Sequence, residues 1–349
     1  MTTPDPDLSH RVPRFLLTVG IPVTAALVLG VHSWLVYAVL GAIVSFIGDT
    51  GGPPVQRLGH MAIGPLALVA GATIGTASMD LPPAFLLAAF VLGFYYGLIE
   101  GGHEHLLLLA RFLGYGLVMG HSVAPLGSVD CVAAIAVILQ SWVISVLWDH
   151  LRGRQRPDSA GPIRPALAAA FLGWRTRWHF ALCAGICMVA ASVAGTWLGL
   201  GHPHWATLTV LVVMRSDLGS GAEMVTDRVL GTIAGVAIVA VLLAVVPSHG
   251  WLLACMTLAA ATRWPAANAN NALGVVSVAV FALLLAELVA PTAQAGMHVL
   301  QDRMLAIMVG CCFAMAATGL NRHLDRYLNP AAQPGGQPPV TGSCKTAGR

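Results

Sequence analysis

The chain has 349 residues, 57% of them apolar and only 9% charged, with a mean hydropathy of +0.77. That composition excludes an ordinary soluble domain and describes a polytopic membrane protein whose surroundings are a lipid bilayer. A net charge of +3 without any basic run gives no footing for nucleic acid.

Apolar segments able to cross, or nearly cross, a hydrocarbon core of roughly 30 Å run in order through the first half. They are Phe15 to Val31, Trp34 to Ile47, Met61 to Ser78, Pro82 to Ile99, Leu106 to His121 and Val129 to Trp148. Arg11 and Arg14 before the first segment give it the outline of a signal peptide, but the many later spans favour an uncleaved first helix. A basic linker follows, with Arg152, Arg154, Arg156 and Arg164 among Pro and Gly, and Ala166 to Arg177 reads as an amphipathic juxtamembrane helix. The second half repeats the count: Trp178 to Leu200, Trp205 to Met214, Val229 to Val246, Trp251 to Thr262, Ala272 to Ala290 and Met304 to Leu320. The tail from Asn329 to Arg349, rich in Pro and Gly, reads as disordered.

The expected fold is therefore an all-α membrane protein with about twelve transmembrane helices arranged as two parallel six-helix repeats. The units are a cytoplasmic N-terminus over 1–14, a first membrane repeat over 15–148, a basic linker over 149–177, a second repeat over 178–320 and a cytoplasmic tail over 321–349. The repeat rests on one register. A shift of 171 positions brings Trp34 onto Trp205, Ser45 onto Ser216, Gly48 onto Gly219, Arg57 onto Arg228 and Gly64 onto Gly235. In each copy a short apolar run opened by Trp ends at a Gly-rich polar break, marked by Gly48 and Gly219, and a full-length apolar helix follows. With both termini in the cytoplasm, almost every Arg falls inside, Arg57, Arg111, Arg215, Arg228 and Arg263 among them. Arg303 alone falls outside, which is a strong positive-inside pattern.

The order Trp205, Thr209, Gly219, Arg228, Gly231, Thr232, Gly235, and above all the run RVLGTIAG from Arg228 to Gly235, resembles the fusaric acid resistance (FUSC) family of bacterial inner-membrane proteins. The resemblance extends from about Trp178 to Leu320, and more weakly into the first half through the repeat. It implies an exporter of aromatic carboxylic acids and related amphipathic compounds, distantly similar to plant anion channels. Larger members carry sizeable cytosolic domains, which the short linker and tail here do not match.

Interrupted apolar segments at corresponding places in two halves point to a transporter's binding region. If the helices after the breaks begin near Gln56 and Asp227, their N-terminal ends, with Arg57 and Arg228, converge on an organic anion. Topology alone also puts Arg at a cytoplasmic helix end. Arg263 to Asn271, RWPAANANN, offers Arg263, Asn268, Asn270 and Asn271 as further substrate contacts, although Asn in a helix–helix loop is ordinarily a turn or cap residue. Glu287 in FALLLAELVAP and His121 in LVMGHSVAP align through a shared Val-Ala-Pro and are candidate proton carriers. Both also lie about a turn from the outer ends of their helices, where an interfacial, solvated group is the bland account. The cluster Glu100, His103, Glu104, His105 lacks ligand spacing. No metal site, cofactor or catalytic residue is expected, and Cys183 and Cys187 read as packing.

The reading that follows is a non-enzymatic secondary exporter of organic, foremost aromatic, acids across a bacterial inner membrane, proton-coupled if Glu287 or His121 titrates in the pathway. A passive anion channel and a non-transporting scaffold for envelope biogenesis are the alternatives. The small organic anion is the expected partner, and a homo-oligomer or a periplasmic adaptor is compatible with the chain.

Overall fold

The computed structural model describes residues 8–29, 34–100, 104–153, 168, 172–216, 218–245, 248–289 and 296–328. Among these residues all regular structure is helical. The elements are α1 (Leu8–Leu29), α2 (Leu35–Ile47), α3 (Pro54–Ala77), α4 (Pro82–Ile99), α5 (Glu104–Ser122), α6 (Ser128–Leu151), α7 (Trp174–Trp197), α8 (His204–Val213), α9 (Leu218–Val245), α10 (His249–Ala269), α11 (Asn271–Val289) and α12 (Gly296–Leu328).

Six of the described helices are long and apolar enough to cross a membrane: α3, α4, α6, α7 from Arg177, α9 from Gly221, and α12 over Gln301–Leu324. The expectation of twelve spans is thus met in helix number and only partly in length. The clearest departures are α2 and α8, with 13 and 10 residues, or about 20 and 15 Å at 1.5 Å per residue. Neither faces lipid on a broad side. In α2 the run from Leu35 to Val39 is buried without a gap, and in α8 the run from Ala206 to Leu211 is too, as befits a helix apolar all round at the centre of a bundle.

Segment ends also shift. Helix α1 begins at Leu8, so Arg14, placed by the sequence in a cytoplasmic N-terminus, sits inside a helix and is 4% exposed. Trp174 to Arg177 continue directly into α7, and α12 runs to Leu328, past the expected boundary at Leu320. Most of the expected juxtamembrane helix and the whole of the expected disordered tail from Asn329 lie outside the described residues.

Bare backbone is what lets the bundle close. Helices α3 and α5 each carry Gly-x-x-x-Gly, Gly71 with Gly75 and Gly116 with Gly120, on the faces they turn to one another. A Cβ at Gly71 would fall on the Leu113 carbonyl, and one at Gly116 on the Leu68 carbonyl. Gly93 and Gly97 of α4 meet Ala181, Ala184 and Gly185 of α7 in the same way, and Gly231 and Gly235 of α9 meet Val275 and Ala279 of α11. Helices in lipid gain little from burying apolar surface against one another, so close approach of small residues supplies the dispersion contact instead.

Pairings recur between the two sets of six helices. In the first, α3 packs on α5, α2 on α6, α1 on α2 and α3 on α6; in the second, α9 packs on α11, α8 on α12, α7 on α8 and α9 on α12. Across the sets, α4 packs on α7 and α1 on α10, again a corresponding pair.

The first break, between α2 and α3, is closed by an ion-pair network. Gly48 ends α2 where a Cβ would stand 2.9 Å from the His60 carbonyl oxygen, and Gly51 and Gly52 take φ of +82° and +84°. Within this turn the fully buried Asp49 carboxylate accepts from Arg57 Nε at 2.6 Å and Nη2 at 2.7 Å, from Arg14 at 2.5 Å and from Ser145 at 2.9 Å. Arg57 donates its remaining Nη1 to Asp149 at 2.8 Å. Two guanidinium groups and two carboxylates thus tie α1, α3 and α6 to the break. Removing one partner of a buried pair strands the others, so Arg57→Ala is expected to cost about 3–5 kcal/mol. The check is the thermal midpoint of the detergent-solubilised variant, which an ornamental ion pair would leave unchanged.

Candidate anion-binding cavity

The second break follows α8 and is built differently. Met214 leaves the helix with φ −63° and ψ 135°. Its carbonyl accepts from the Tyr96 hydroxyl at 3.1 Å, and the same hydroxyl accepts from Arg215 Nη1 at 2.9 Å and Arg111 Nη2 at 3.4 Å. Thr318 of α12 donates to the Arg215 carbonyl at 3.0 Å. Backbone that leaves a helix deep in an apolar bundle must find such partners in the protein. Here they come from α4 and α12, and they leave the Arg215 guanidinium at the wall of a cavity.

That cavity has a volume of about 340 Å³ and lies between the two sets of helices. Three helices contribute a stripe each. Helix α5 gives Leu108, Arg111, Phe112, Tyr115 and Met119; α10 gives Ala260, Arg263, Trp264 and Ala267; α11 gives Asn271, Gly274, Val275, Val278, Phe281, Ala282 and Leu285. These spacings of three and four residues place each set on one helix face. Five guanidinium groups line the space, those of Arg111, Arg215, Arg228, Arg263 and Arg303, and no Asp or Glu does so among the described residues. Between the charges stand Phe15, Phe112, Tyr115, Trp205, Trp264 and Phe281.

At one end Arg303, 5% exposed, lies with its guanidinium carbon 3.8 Å from the centroid of the Trp205 ring and donates to the Ala282 carbonyl at 3.0 Å. The preceding loop is fastened to the same helix, because Asp302 accepts the Gly201 amide at 2.9 Å. Burial first, and then the Arg303 charge, hold the loop residue His202 below the ordinary histidine pKa, with Asp302 acting the other way. Both effects disfavour a second positive charge beside Arg303.

The expected site residues fall into three groups. Arg228, Arg263 and Asn271 reach the cavity wall. The Asn271 amide also donates to Asp227, so this wall is braced across α9 and α11. Asn270 caps α10 and accepts the Ala272 amide at 2.9 Å, the ordinary turn role, while the side chain of Asn268 lies outside the described residues.

Arg57 departs from expectation. It is committed to Asp49 and Asp149 and is not among the cavity residues, so Arg57 and Arg228 do not converge on one anion. The helix-end argument for Arg228 is corrected as well. Helix α9 begins at Leu218, so Gly219 lies in its first turn rather than in the break, and Arg228 stands well inside the helix. The register of the two halves holds in sequence, yet the second break falls earlier, opening after Val213, because α8 is the shorter helix.

His121 is not on the cavity wall. Its Nδ1 is 3.1 Å from the Ser78 hydroxyl, and its ring packs on Phe85 and on His204 at centroid distances of 4.3 and 4.4 Å. The side chain of Glu287, and the His103, Glu104 and His105 cluster, lie outside the described residues.

Sequence reasoning used Arg111, Arg215 and Arg303 only as topology markers and missed them as wall residues. Two signals were present. Arg111 interrupts the apolar run from Leu106 to His121, where an ionisable side chain in a membrane segment is a functional candidate by default. Arg303 was the one exception to the positive-inside pattern.

No curated protein and no solved structure matches the chain. Residues 186–317 match the family model described as fusaric acid resistance protein-like. This span holds Arg215, Arg228, Arg263 and Arg303, and its match bears out the family resemblance carried by Trp205 to Gly235.

Proposed function

We propose that the protein is a secondary transporter that moves organic, foremost aromatic, anions out through a bacterial inner membrane. In this reading twelve membrane-embedded helices form two parallel six-helix halves around one route, both termini face the cytoplasm, and export is proton-coupled if Glu287 or His121 titrates in the pathway. The recurring helix pairings support the two-halves arrangement. The observation that carries the function is the cavity itself: five guanidinium groups and six aromatic rings, with no lining carboxylate among the described residues. Guanidinium groups withdrawn from water are costly unless a counter-charge joins them. A carboxylate supplies that charge in a geometry suited to arginine, and an aromatic body suits the rings and the flat guanidinium faces around it.

In sealed proteoliposomes of purified protein, an imposed pH gradient is expected to drive accumulation of an aromatic carboxylate such as benzoate. Arg228→Ala is expected to lower that flux about 10- to 100-fold, the loss of one charge-assisted contact. Flux that only dissipates the anion's own gradient would replace the exporter with a channel. Absence of flux for a wide panel of acids in vesicles of verified orientation would favour the scaffold.

Binding can be followed independently of transport. Trp205 and Trp264 are the tryptophans on the cavity wall among the described residues, so a bound aromatic acid is expected to change their emission. The double variant Trp205→Phe and Trp264→Phe should lose most of the ligand-dependent change, and a change that survives intact would place the ligand elsewhere.

A further inference from the structure

The cavity wall touches α8 at both ends. It includes Trp205 in the first turn, Val212 in the last, and Arg215 just beyond. The positive charges are spread along that line. Arg303 lies over Trp205, and Arg228 lines the same cavity. At the other end Arg215 and Arg111 share the Tyr96 hydroxyl.

The ten residues of α8 separate these ends by about 15 Å. A carboxylate takes guanidinium hydrogen bonds at about 2.8 Å, so one such group cannot serve both ends. Donors also remain uncommitted. Nε of Arg111 and Nε of Arg228 are buried without a hydrogen-bond partner among the described residues, and Arg215 commits only Nη1.

We propose that the cavity holds two anionic groups at once, one against Arg303 beside Trp205 and one against Arg111 and Arg215 beside Tyr96. The shared chemistry is a pair of carboxylates with aromatic surface between them. It comes either from one aromatic dicarboxylate or from two aromatic monocarboxylates bound together. This assignment rests on the transport reading and narrows its substrate class. It also gives the two ends distinct tasks, since an anion arriving at one end meets a second cationic site along the same wall rather than a single trap.

The test is calorimetric titration of the purified full-length protein in detergent at neutral pH with benzoate and, separately, terephthalate. The expected results are two benzoates per chain, or one terephthalate per chain bound about 10- to 100-fold more tightly than benzoate. The first result identifies paired monoanions and the second a dianion. Arg303→Gln and Arg215→Gln act on opposite ends. Each should reduce benzoate to one per chain and erase the terephthalate advantage, while Arg303→Lys, which keeps the charge, should retain more of it. Using both ends guards against one variant failing to fold. A single benzoate per chain with terephthalate no tighter would overturn the proposal and leave the transport reading standing. Binding of neither acid to protein with an intact thermal transition would overturn both.

Discussion

The structure depends on one constraint: two short helices, α2 and α8, end inside an apolar bundle, and the backbone that leaves them must find hydrogen-bond partners without water. The two breaks meet this demand in opposite ways. The first folds charge inward on itself, with Asp49 at the centre accepting from Arg14, Arg57 and Ser145 while Asp149 takes the last arm of Arg57. The second uses neutral partners, the Tyr96 hydroxyl and the Thr318 hydroxyl, and leaves its arginine facing open space. A register shared in sequence has thus become a sealed joint in one half and one side of a cavity in the other.

The different fates of Arg57 and Arg228 follow from their neighbours. At the shift of 171 positions, Asp49 corresponds to Ser220, so the second half has no carboxylate at the place where the first neutralises its arginine. A buried guanidinium with paired carboxylates is a structural element. A guanidinium lining a cavity with six aromatic residues from several helices and four other arginines is, in the proposed reading, the partner of an anion. The close glycine contacts between α3 and α5, and between α4 and α7, complete the design by fixing the helices around this space through backbone contact rather than through large interlocking side chains.

Much of the architecture is legible in the sequence, because its signals are local. Apolar length, Trp-led short segments and Gly-rich breaks mark the twelve helices seen among the described residues. Legibility stops where packing decides. Nothing local says that α8 ends at Val213 and that α9 starts at Leu218 rather than near Asp227, since that depends on Tyr96 and Thr318, more than a hundred residues away on either side. The cavity is legible in part. Arg228, Arg263 and Asn271 stood out by motif or composition, whereas Arg111, Arg215 and Arg303 needed the tertiary structure to bring them to the cavity wall. The Gly-x-x-x-Gly pairs on α3, α4 and α5 could have been read from spacing alone and would have anticipated the tightest interfaces.

The most direct test of the central claim is a density map of the protein in a lipid nanodisc with 4-iodobenzoate, compared with one in its absence. The account predicts the iodine-bearing ligand within the arginine-lined cavity, its carboxylate against Arg228, against Arg303 or against Arg111 and Arg215. Ligand density confined to another surface, with the cavity unchanged at saturating concentration, would contradict it.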